Sequence, residues 1–403
     1  MGETVRFLSS PHTPSVIERP VQLSLPHRVF FTDGVFDAGN DTLARALAGE
    51  DEGGRRRKVL VILEEAVAHS QPGLREAIPA WFAGAGKPWQ LAGQPLVVSG
   101  GEGCKNDWEQ VEKLWAVIND AGIDRHSYVV AIGGGALLDL VGFASATAHR
   151  GIRHLRMPTT TLSQGDGGVG VKNGVNFFNK KNWVGAFAVP WAVVNDHRFL
   201  TSLPDEDKRD GIIEAIKVAL IRDAAFYYEL EANAAALGAL DDTLLRRIIR
   251  RSAELHVEHI CTGGDPFELG SARPLDFGHW VGHKIEPMSS FSISHGKAVA
   301  TGMAVDLLYA KLRGLLSSAN CGRILTLIET AGFRLWHDEL NAREPDGKLS
   351  VLRGLEEFRE HLGGELTITL VTAPGKAVEV HEMDGGLVEA AIAELQKRAV
   401  ACV

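Results

Sequence analysis

The sequence is poor in cysteine, in basic runs and in long hydrophobic segments, and each of these absences excludes a class of protein. Its 403 residues include four cysteines, none in a Cys-x-x-Cys spacing, which favours a reduced, cytoplasmic compartment over a disulfide framework. No apolar run approaches membrane-spanning length and the N-terminus lacks a signal-peptide pattern, so we expect no membrane partner. A formal net charge of -9 without a basic run argues against a nucleic-acid partner.

The composition that remains is that of a globular enzyme with two domains. Hydrophobic residues make up 45% of the chain and charged residues 23%, and a chain of 403 residues is long for one core. The character of the sequence changes after Pro204, where alternating elements give way to helical stretches. We therefore predict an N-terminal arm over residues 1–25, an α/β domain over 26–203 and a mostly helical domain over 204–403.

The α/β domain is predicted from short apolar runs that alternate with helical stretches. Residues 107–121 have helical periodicity, with their apolar side chains on one side. Such alternation is typical of a parallel sheet with helices on both faces. The predicted strands are residues 58–63, 96–98, 128–132 and 192–194. In the second half we predict helices over 211–223, 241–259 and 296–312, and an isolated late strand over 366–371.

Histidines near the middle of the second half have the spacing of metal ligands. His279 and His283 are four residues apart, so they share one face if their segment is helical. His295, after a serine-rich turn, would bring a third nitrogen, and three ligands with one open position are typical of a catalytic divalent metal. The spacing fits equally well two surface histidines and a loop histidine, so both interpretations stay open.

A carboxylate that could join these histidines opens the helical half. Glu214 and Lys217 are three residues apart and share a helix face. Such a pair is usually a helix salt bridge. A carboxylate beside His279 and His295 would instead complete a two-histidine, one-carboxylate site.

Gly133, Gly134 and Gly135, here called the glycine turn, follow a predicted strand and open a helix. Glycines let a ligand approach the backbone, and a helix N-terminus offers free amides to a phosphate. The turn is not a GxGxxG motif, and a tight strand-to-helix connection is the alternative. Glu64 ends the first predicted strand, where acids of nucleotide-binding sheets hold ribose hydroxyls, although most such residues are surface glutamates.

Loops rich in glycine, lysine and asparagine lie between residues 101 and 187. Open α/β sheets bind ligands in such loops at strand ends. Arg150, Lys172 and Lys181 would supply cations for a phosphorylated substrate, although each alone is more often a solvated surface residue.

As a set, these motifs resemble those of 3-dehydroquinate synthase and the wider sugar phosphate cyclase superfamily. They occur in the family's order between Glu64 and Met303. The resemblance implies an N-terminal Rossmann-like NAD-binding domain, a C-terminal helical metal-binding domain, an active site in the cleft between them and a homodimer. The matching segments are GEGCK, AIGGGALLDLVGF, RG, PTTTL, VKNGVN, KNWVGAF, SLP, GIIEAIK, DFGHWVGHKIE and SHGKAVATGM.

The resemblance also implies a role for each site residue. The ligands of a zinc or cobalt ion would be Glu214, His279 and His295. The residues that contact NAD would be Glu64, Glu102, Lys105, Gly133, Gly134, Gly135, Asp139, Thr159, Thr160 and Lys181. The catalytic candidates are Asp166, Lys172, Lys217, Glu268 and His283. The residues that bind a small sugar phosphate would be Arg150, which reaches across the dimer, and Lys172, Asn182, Lys217, His256, Asp276, His283 and His361.

The reaction that the resemblance implies comprises transient oxidation, phosphate elimination, reduction and intramolecular aldol closure to a carbocycle. The substrate side departs from 3-dehydroquinate synthase itself: Asp276 replaces an asparagine and His256 replaces a lysine. Ala272 stands where an arginine is expected, and residues 359–361 replace an Asp-Lys-Lys motif. Losing fixed cations and gaining an aspartate disfavours a carboxylate substrate.

An aspartate at position 276 recurs in relatives that cyclise sedoheptulose 7-phosphate, so we predict a substrate of that type. Some of those relatives lack a histidine at the position of His283, which leaves a third kind of substrate open. The keto-acid phosphate of 3-dehydroquinate synthase is the first alternative. A metal-dependent polyol or alcohol dehydrogenase is the second, and it would accumulate NADH. A catalytically inactive protein that kept only the fold is disfavoured, because it would not need the three metal-ligand positions or Lys217.

Overall fold

A computed structural model of the chain describes residues 17–48, 56–84, 87–178, 180–268 and 274–401. Residues 17–25 of the predicted arm are exposed and contain no helix or strand, and the rest of that arm lies outside the described residues. Within the described part, no helix is both long enough and apolar enough to cross a membrane.

The strands are short and most of them lie in the first half of the chain. They are β1 (Val29–Thr32), β2 (Arg57–Glu64), β3 (Trp89–Leu91), β4 (Leu96–Val98), β5 (Tyr128–Gly133), β6 (Arg153–Pro158), β7 (Lys172–Phe177), β8 (Lys180–Phe187), β9 (Ala192–Asp196), β10 (Ile368–Ala373) and β11 (Lys376–Val380).

Helices flank the sheet and make up most of the second half. They are α1 (Thr42–Leu47), α2 (Glu65–Ser70), α3 (Leu74–Ala83), α4 (Trp108–Asp120), α5 (Gly135–Thr147), α6 (Thr161–Gly165), α7 (Asp205–Arg222), α8 (Ala224–Ala232), α9 (Ala234–Gly238), α10 (Asp242–Thr262), α11 (His279–Met288), α12 (His295–Leu312), α13 (Ser318–Thr330), α14 (Arg353–His361) and α15 (Gly385–Ala401).

The sheet of the first half is parallel throughout the described residues. Its strands lie in the order β1-β9-β6-β5-β2-β3, and β4 also pairs with β2. Val59 and Val61 of β2 pack with α1 and α3, whereas Leu60 and Ile62 pack with α4 and α5 on the opposite face. The predicted α/β architecture with helices on both faces is therefore confirmed, because successive strand residues point to opposite faces.

All four strands predicted in this half are present, with ends that differ by at most two residues. The sequence interpretation missed β1, β3 and β6, and it treated the segment of β7 and β8 as loops. That segment is an antiparallel hairpin that carries Lys172 on one strand and Lys181 and Asn182 on the other. The alternation of apolar and polar side chains along these two strands is hidden, because glycine and asparagine occupy positions that usually hold β-branched residues.

The helical half packs around α12, which is buried along most of its length. The three helices predicted there are present, but α7 begins at Asp205, directly after Pro204, rather than at 211. Three acidic residues in its first turn are favourable at a helix N-terminus and account for this earlier start. The prediction of an isolated late strand was wrong, since β10 pairs with β11 in an antiparallel hairpin.

Candidate active site

Helix α7 brings two buried charges to the point where the helices meet the strand ends. Glu214 and Lys217 have side chains that are 1% and 2% exposed, and they form an ion pair. Lys217 Nζ also lies 3.6 Å from Asp166 Oδ2, at the end of α6. Burial opposes the charge of Lys217, but Asp166 and Glu214 outweigh it and raise the lysine pKa. The site therefore holds a fixed ammonium group between two carboxylates.

The first turns of α11 and α12 bring two imidazoles to the same carboxylate. Nε2 of His279 lies 4.0 Å from Glu214 Oε1, and Nε2 of His295 lies 3.7 Å from it. One ligand atom from each residue can be chosen so that all three lie within 4.8 Å of one another. The predicted three-donor group is therefore assembled from residues 214, 279 and 295, which are far apart in the sequence.

The chemical state of these donors fits a divalent cation. Glu214 Oε2 is paired with Lys217, whereas its buried Oε1 has no hydrogen-bond partner among the described residues, and burial raises the glutamate pKa to about 7. Burial and then the charge of Lys217 hold the pKa of His279 well below its ordinary value, so its imidazole is neutral. A buried carboxylate oxygen without a hydrogen-bond donor, beside the neutral imidazole of His279, suits a metal such as zinc or cobalt.

The outer nitrogens of both histidines are held by acceptors. His279 Nδ1 lies 3.1 Å from the Phe277 carbonyl, and His295 Nδ1 lies 2.8 Å from Glu286 Oε1. These bonds fix the tautomer of each ring and leave Nε2 for the metal side. Sequence reasoning missed Glu286, although it follows His279 at i+7 and His283 at i+3 on one helix face, a spacing that could have identified it.

His283 lies beside the three-donor group and is more accessible than His279. Its ring centroid is 5.2 Å from that of His279 and 5.9 Å from that of His295. Together with Glu286 and His295 it forms a second group whose ligand atoms also lie within 4.8 Å of one another. Both oxygens of Glu286 are occupied, Oε1 by His295 and Oε2 by Lys181, whose Nζ lies 3.1 Å away. Glu214 Oε1 has no hydrogen-bond partner among the described residues, so the Glu214 group is the better metal site.

The substrate-side residues of the sequence prediction are partly brought together. Asp166 pairs with His256 of α10 as well as with Lys217. Burial would raise the aspartate pKa, but these two cations hold it well below its ordinary value. Lys172 Nζ lies 2.6 Å from Glu268 Oε1, so these two catalytic candidates form an ion pair.

Asp276 lies in a 3-10 turn (Pro274–Asp276) just before α11, and its charge helps to raise the Lys217 pKa. The aspartate is therefore close enough to Lys217 to influence it. The side chain of His361 and residue Ala272 lie outside the described residues.

Six of the residues predicted to contact NAD lie at the carboxyl ends of β2, β5 and β6, namely Glu64, Gly133, Gly134, Gly135, Thr159 and Thr160. Gly133 ends β5, Gly134 precedes α5, and the Gly134 amide donates to Glu64 Oε2 at 2.6 Å. Burial raises the pKa of Glu64. A Cβ on Gly135 would meet no atom within 4 Å, so the backbone at the α5 N-terminus faces open space. Such a glycine cradle beside a helix N-terminus fits a dinucleotide phosphate.

Thr159 and Thr160 lie beside this cradle. The Thr159 amide donates to the Gly133 carbonyl at 3.0 Å, and Thr160 caps α6 through Ser163. Both predicted neighbours of the glycine turn are therefore placed against it.

A second cluster lies beside the glycine turn. Lys105 is 2% exposed, and its Nζ lies 3.0 Å from Asp139 Oδ2 and 3.7 Å from Glu102 Oε1. It also contacts the side-chain oxygen of Asn182, so that residue lies with the predicted NAD group rather than with Asp166. Lys181, predicted to contact NAD, points instead to Glu286 next to His295.

Arg150 is the predicted site residue that the fold keeps apart from the others. It is exposed and precedes β6, whereas Thr159 follows that strand, so the two residues lie at opposite ends of the strand. A six-residue strand spans about 20 Å, which is more than an arginine side chain reaches. Arg150 therefore does not reach the strand-end site of its own chain.

Family models for 3-dehydroquinate synthase match most of the chain. The N-terminal domain model matches residues 95–210 and the C-terminal domain model matches residues 211–350. The 2-epi-5-epi-valiolone synthase of Streptomyces glaucescens is 33% identical over 361 residues, which cover 89% of this chain and 87% of that protein. The 3-dehydroquinate synthase of Azotobacter vinelandii is 35% identical over 324 residues, which cover 80% and 83%.

Solved structures agree with these matches. The 2-epi-5-epi-valiolone synthase of Streptomyces hygroscopicus subsp. jinggangensis 5008, with NAD+ and Zn2+ bound, gives a TM-score of 0.81 at 27% identity, covering 94% of this chain and 99% of that one. A 2-deoxy-scyllo-inosose synthase complexed with carbaglucose-6-phosphate, NAD+ and Co2+ gives a TM-score of 0.73 at 22% identity. The match covers 91% of this chain and 96% of that one. A probable glycerol dehydrogenase from Sinorhizobium meliloti 1021 gives a TM-score of 0.60 at 15% identity. The match covers 93% of this chain and 98% of that one. The last two show a shared fold, whereas the sequence matches show descent. The protein belongs to the 3-dehydroquinate synthase-like family of sugar phosphate cyclases.

Proposed function

We propose that this protein is an NAD- and metal-dependent cyclase that converts a sedoheptulose 7-phosphate-like ketose phosphate into a carbocycle. The observation that carries the proposal is the convergence of Glu214, His279 and His295 beside the buried Lys217, which Asp166 also contacts. A protein that only retained the fold would have no need to bury a carboxylate and an ammonium group at one point, because burying charge is costly.

Each implied cofactor has a group of residues suited to it. A divalent metal would be held by Glu214, His279 and His295, and when bound it supplies a Lewis acid that polarises a substrate oxygen. NAD would be held by the glycine turn, Glu64 and the cluster around Lys105, and when bound it supplies reversible hydride transfer.

The chain's own residues would bind and orient the substrate. Lys217 stays protonated, so it can donate hydrogen bonds to a substrate oxygen that gains negative charge. Asp166 and Glu214 hold that ammonium group in place. His283 is accessible and stands next to both histidine ligands, so it is placed to exchange a proton with a substrate hydroxyl.

The charge balance favours a ketose phosphate over a keto-acid phosphate. Lys172 is paired with Glu268, Lys181 with Glu286, and Lys217 with two carboxylates. His256 is paired with Asp166. These lysines and this histidine therefore offer little unmatched positive charge to a second anionic group on the substrate, and Asp276 adds a negative charge.

Arg150 supports the proposal of a homodimer. It lies at the amino end of β6, whereas the site of its own chain lies at the carboxyl end. It would therefore bind a substrate phosphate only in the site of a second copy. Arg150→Ala should then weaken binding of the sugar phosphate in a dimer. Light scattering on the purified protein measures the oligomeric state, and a monomer with full activity would overturn the dimer proposal.

One assay tests the function. Metal-loaded protein with NAD is incubated separately with sedoheptulose 7-phosphate and with the seven-carbon keto-acid phosphate, and phosphate release, carbocyclic product and NADH are measured. The proposal predicts phosphate release and carbocycle from the ketose phosphate without accumulation of NADH. Turnover of the keto-acid phosphate alone would overturn the substrate assignment, and NADH accumulating with simple polyols would indicate a dehydrogenase instead.

A double variant tests which residues set the substrate. His256→Lys with Asp276→Asn removes one negative charge and adds a fixed cation, so activity should shift toward the keto-acid phosphate. Asp120→Asn, at the exposed C-terminal end of α4, is the control and should leave the preference unchanged. An unchanged ratio in the double variant would show that other residues choose the substrate.

A further inference from the structure

Arg156 occupies the centre of the parallel sheet. It lies on β6, where it is the partner of Ala131 on β5 and of Val193 on β9, and it is 0% exposed. Central strands of parallel sheets are normally apolar on both faces. A buried guanidinium group is therefore retained here against a large desolvation cost, which calls for compensating contacts.

Its contacts are almost all to one loop. Nη1 donates to the carbonyls of Gly167, Gly168 and Gly170 at 3.4, 3.3 and 3.1 Å. Nη2 donates to the Lys172 carbonyl at 2.8 Å and to Asn173 Oδ1 at 2.6 Å. No carboxylate among the described residues forms an ion pair with this guanidinium group, so oriented carbonyl and amide dipoles balance its charge.

The loop that wraps around the guanidinium group joins two residues of the site. It leaves α6 at Asp166 and enters β7 at Lys172. A Cβ on Gly168 would lie 2.3 Å from the Ser163 carbonyl, so this turn needs glycine. The carbonyl of Val169, which is not among the acceptors of Arg156, is held by His27 Nε2 at 2.7 Å. The loop is thus fixed from two sides, and Arg156 holds both of its ends.

We infer that Arg156 is a positioning residue that uses the rigid sheet to fix Asp166 and Lys172 in the geometry that catalysis requires. This inference rests on the proposed function. Asp166 in turn holds Lys217, so the effect of Arg156 extends to the ammonium group next to Glu214. Displacements of about 1 Å remote from the reacting atoms can cost about 100-fold in rate, which gives such a residue a large effect without substrate contact.

The test compares two arginines of the same strand. Arg156→Lys keeps the charge, but a single ammonium nitrogen cannot reach all five acceptors that the planar guanidinium group reaches. Arg153→Lys is the matched control, because Arg153 stacks on Trp191 and Tyr128 at the other end of β6. We expect kcat to fall about 100-fold in Arg156→Lys, with bound metal and the KM for NAD changed less than about twofold. Arg153→Lys should keep kcat within about threefold of the native value.

A second measurement does not depend on turnover. Hydrogen–deuterium exchange of the peptide covering residues 167–172 should rise in Arg156→Lys and stay native in Arg153→Lys. If Arg156→Lys does not fold, Gly168→Ala displaces the same loop and should lower kcat with metal and NAD binding retained. Native kcat together with native exchange in the Arg156 variant would overturn the inference. Wild-type protein that turns over no sugar phosphate would overturn the proposed function, and the exchange result would still decide whether Arg156 fixes the loop.

Discussion

The two halves of the candidate site are built by different means. In the sheet half, backbone groups at the ends of parallel strands form the cradle: the Gly134 amide binds Glu64, and a Cβ on Gly135 would face open space. In the helical half, buried side chains form the site, with Glu214 and Lys217 both 2% exposed or less. The first half needs residues without side chains, whereas the second needs charges that neutralise one another.

This difference determines how each half tolerates substitution. A backbone cradle is lost when a side chain is added, because the added atoms fill the space a ligand would occupy. A buried charge cluster is lost when one charge is removed, because its partners stay buried without compensation. The following substitutions probe each case, beginning with the largest expected effect.

Removing the ammonium group of Lys217 should have the largest effect. Lys217→Met leaves the buried carboxylate of Glu214 and the half-buried one of Asp166 without their shared cation, so the free energy of unfolding should fall by about 3–5 kcal/mol and turnover should be lost. Chemical denaturation and the phosphate-release assay measure these changes.

Lys208 on the same helix provides the matched control. It pairs with Asp205 at 3.3 Å in the same i, i+3 arrangement, but that aspartate is 77% exposed. Lys208→Met should therefore change the free energy of unfolding by less than about 1 kcal/mol. Equal losses for the two lysines would contradict the importance of burial.

Neutralising Glu286 should weaken the metal site without abolishing it. Glu286→Gln removes the carboxylate that holds His295 Nδ1 and Lys181, and loss of such a supporting group typically lowers metal affinity about 10- to 100-fold. Competition with a chelator of known affinity measures this change. Glu357→Gln, which breaks the exposed pair with Lys284, should leave metal affinity native. Unchanged metal affinity in Glu286→Gln would show that Glu286 does not support the metal site.

Adding a methyl group where α11 meets α12 tests whether packing also supports the helical half. A Cβ on Gly302 would lie 1.9 Å from the Gly278 carbonyl, directly before His279, so Gly302→Ala should lower the free energy of unfolding by about 1–3 kcal/mol. In α13, a Cβ on Gly322 would meet nothing within 4 Å, and Gly322→Ala should be neutral or stabilising by up to about 1 kcal/mol. Similar melting temperatures for the two variants would refute the close helix contact.

Adding a methyl group in the sheet half should lower the affinity for NAD rather than the free energy of unfolding. A Cβ on Gly100 would lie 1.9 Å from Glu64 Oε1, so Gly100→Ala displaces that carboxylate from the glycine turn. Loss of a hydrogen bond to a charged group corresponds to about 1.5 kcal/mol or more, or at least about a tenfold loss of NAD affinity by calorimetry. Gly103→Ala meets no atom within 4 Å and should bind NAD normally. A native dissociation constant in Gly100→Ala would show that Glu64 does not contact NAD.

The sequence predicted the parallel α/β architecture and four strands of the sheet half because their signals are local. Apolar runs and a glycine turn at a strand end are readable in short windows, and β2, β4, β5 and β9 appear where they were expected. The hairpin of β7 and β8 was missed because asparagine and glycine obscure its alternation. Arg156 was missed because nothing in its local sequence distinguishes a buried arginine on a central strand from a surface one.

In the helical half, spacing within one helix identified His279 and His283, but spacing alone could not choose between them. That choice depends on Glu214, which lies on a helix 65 residues earlier and approaches His279 and His295 only through tertiary packing. Glu286 was readable from its position at i+7 from His279, yet its contact with Lys181 of the sheet half was not, because long-range side-chain pairs leave no periodic signal.

Metal content per chain tests the central claim most directly, since two overlapping donor groups share His295. Elemental analysis after loading with Zn2+ and gel filtration should give one ion per chain for the native protein and for His283→Ala. It should give less than about a tenth of that for Glu214→Gln and for His279→Ala, if loss of a direct ligand costs more than the roughly 10- to 100-fold expected for a supporting group. Retention of the ion in Glu214→Gln together with its loss in His283→Ala would contradict the account and assign the metal to His283, Glu286 and His295.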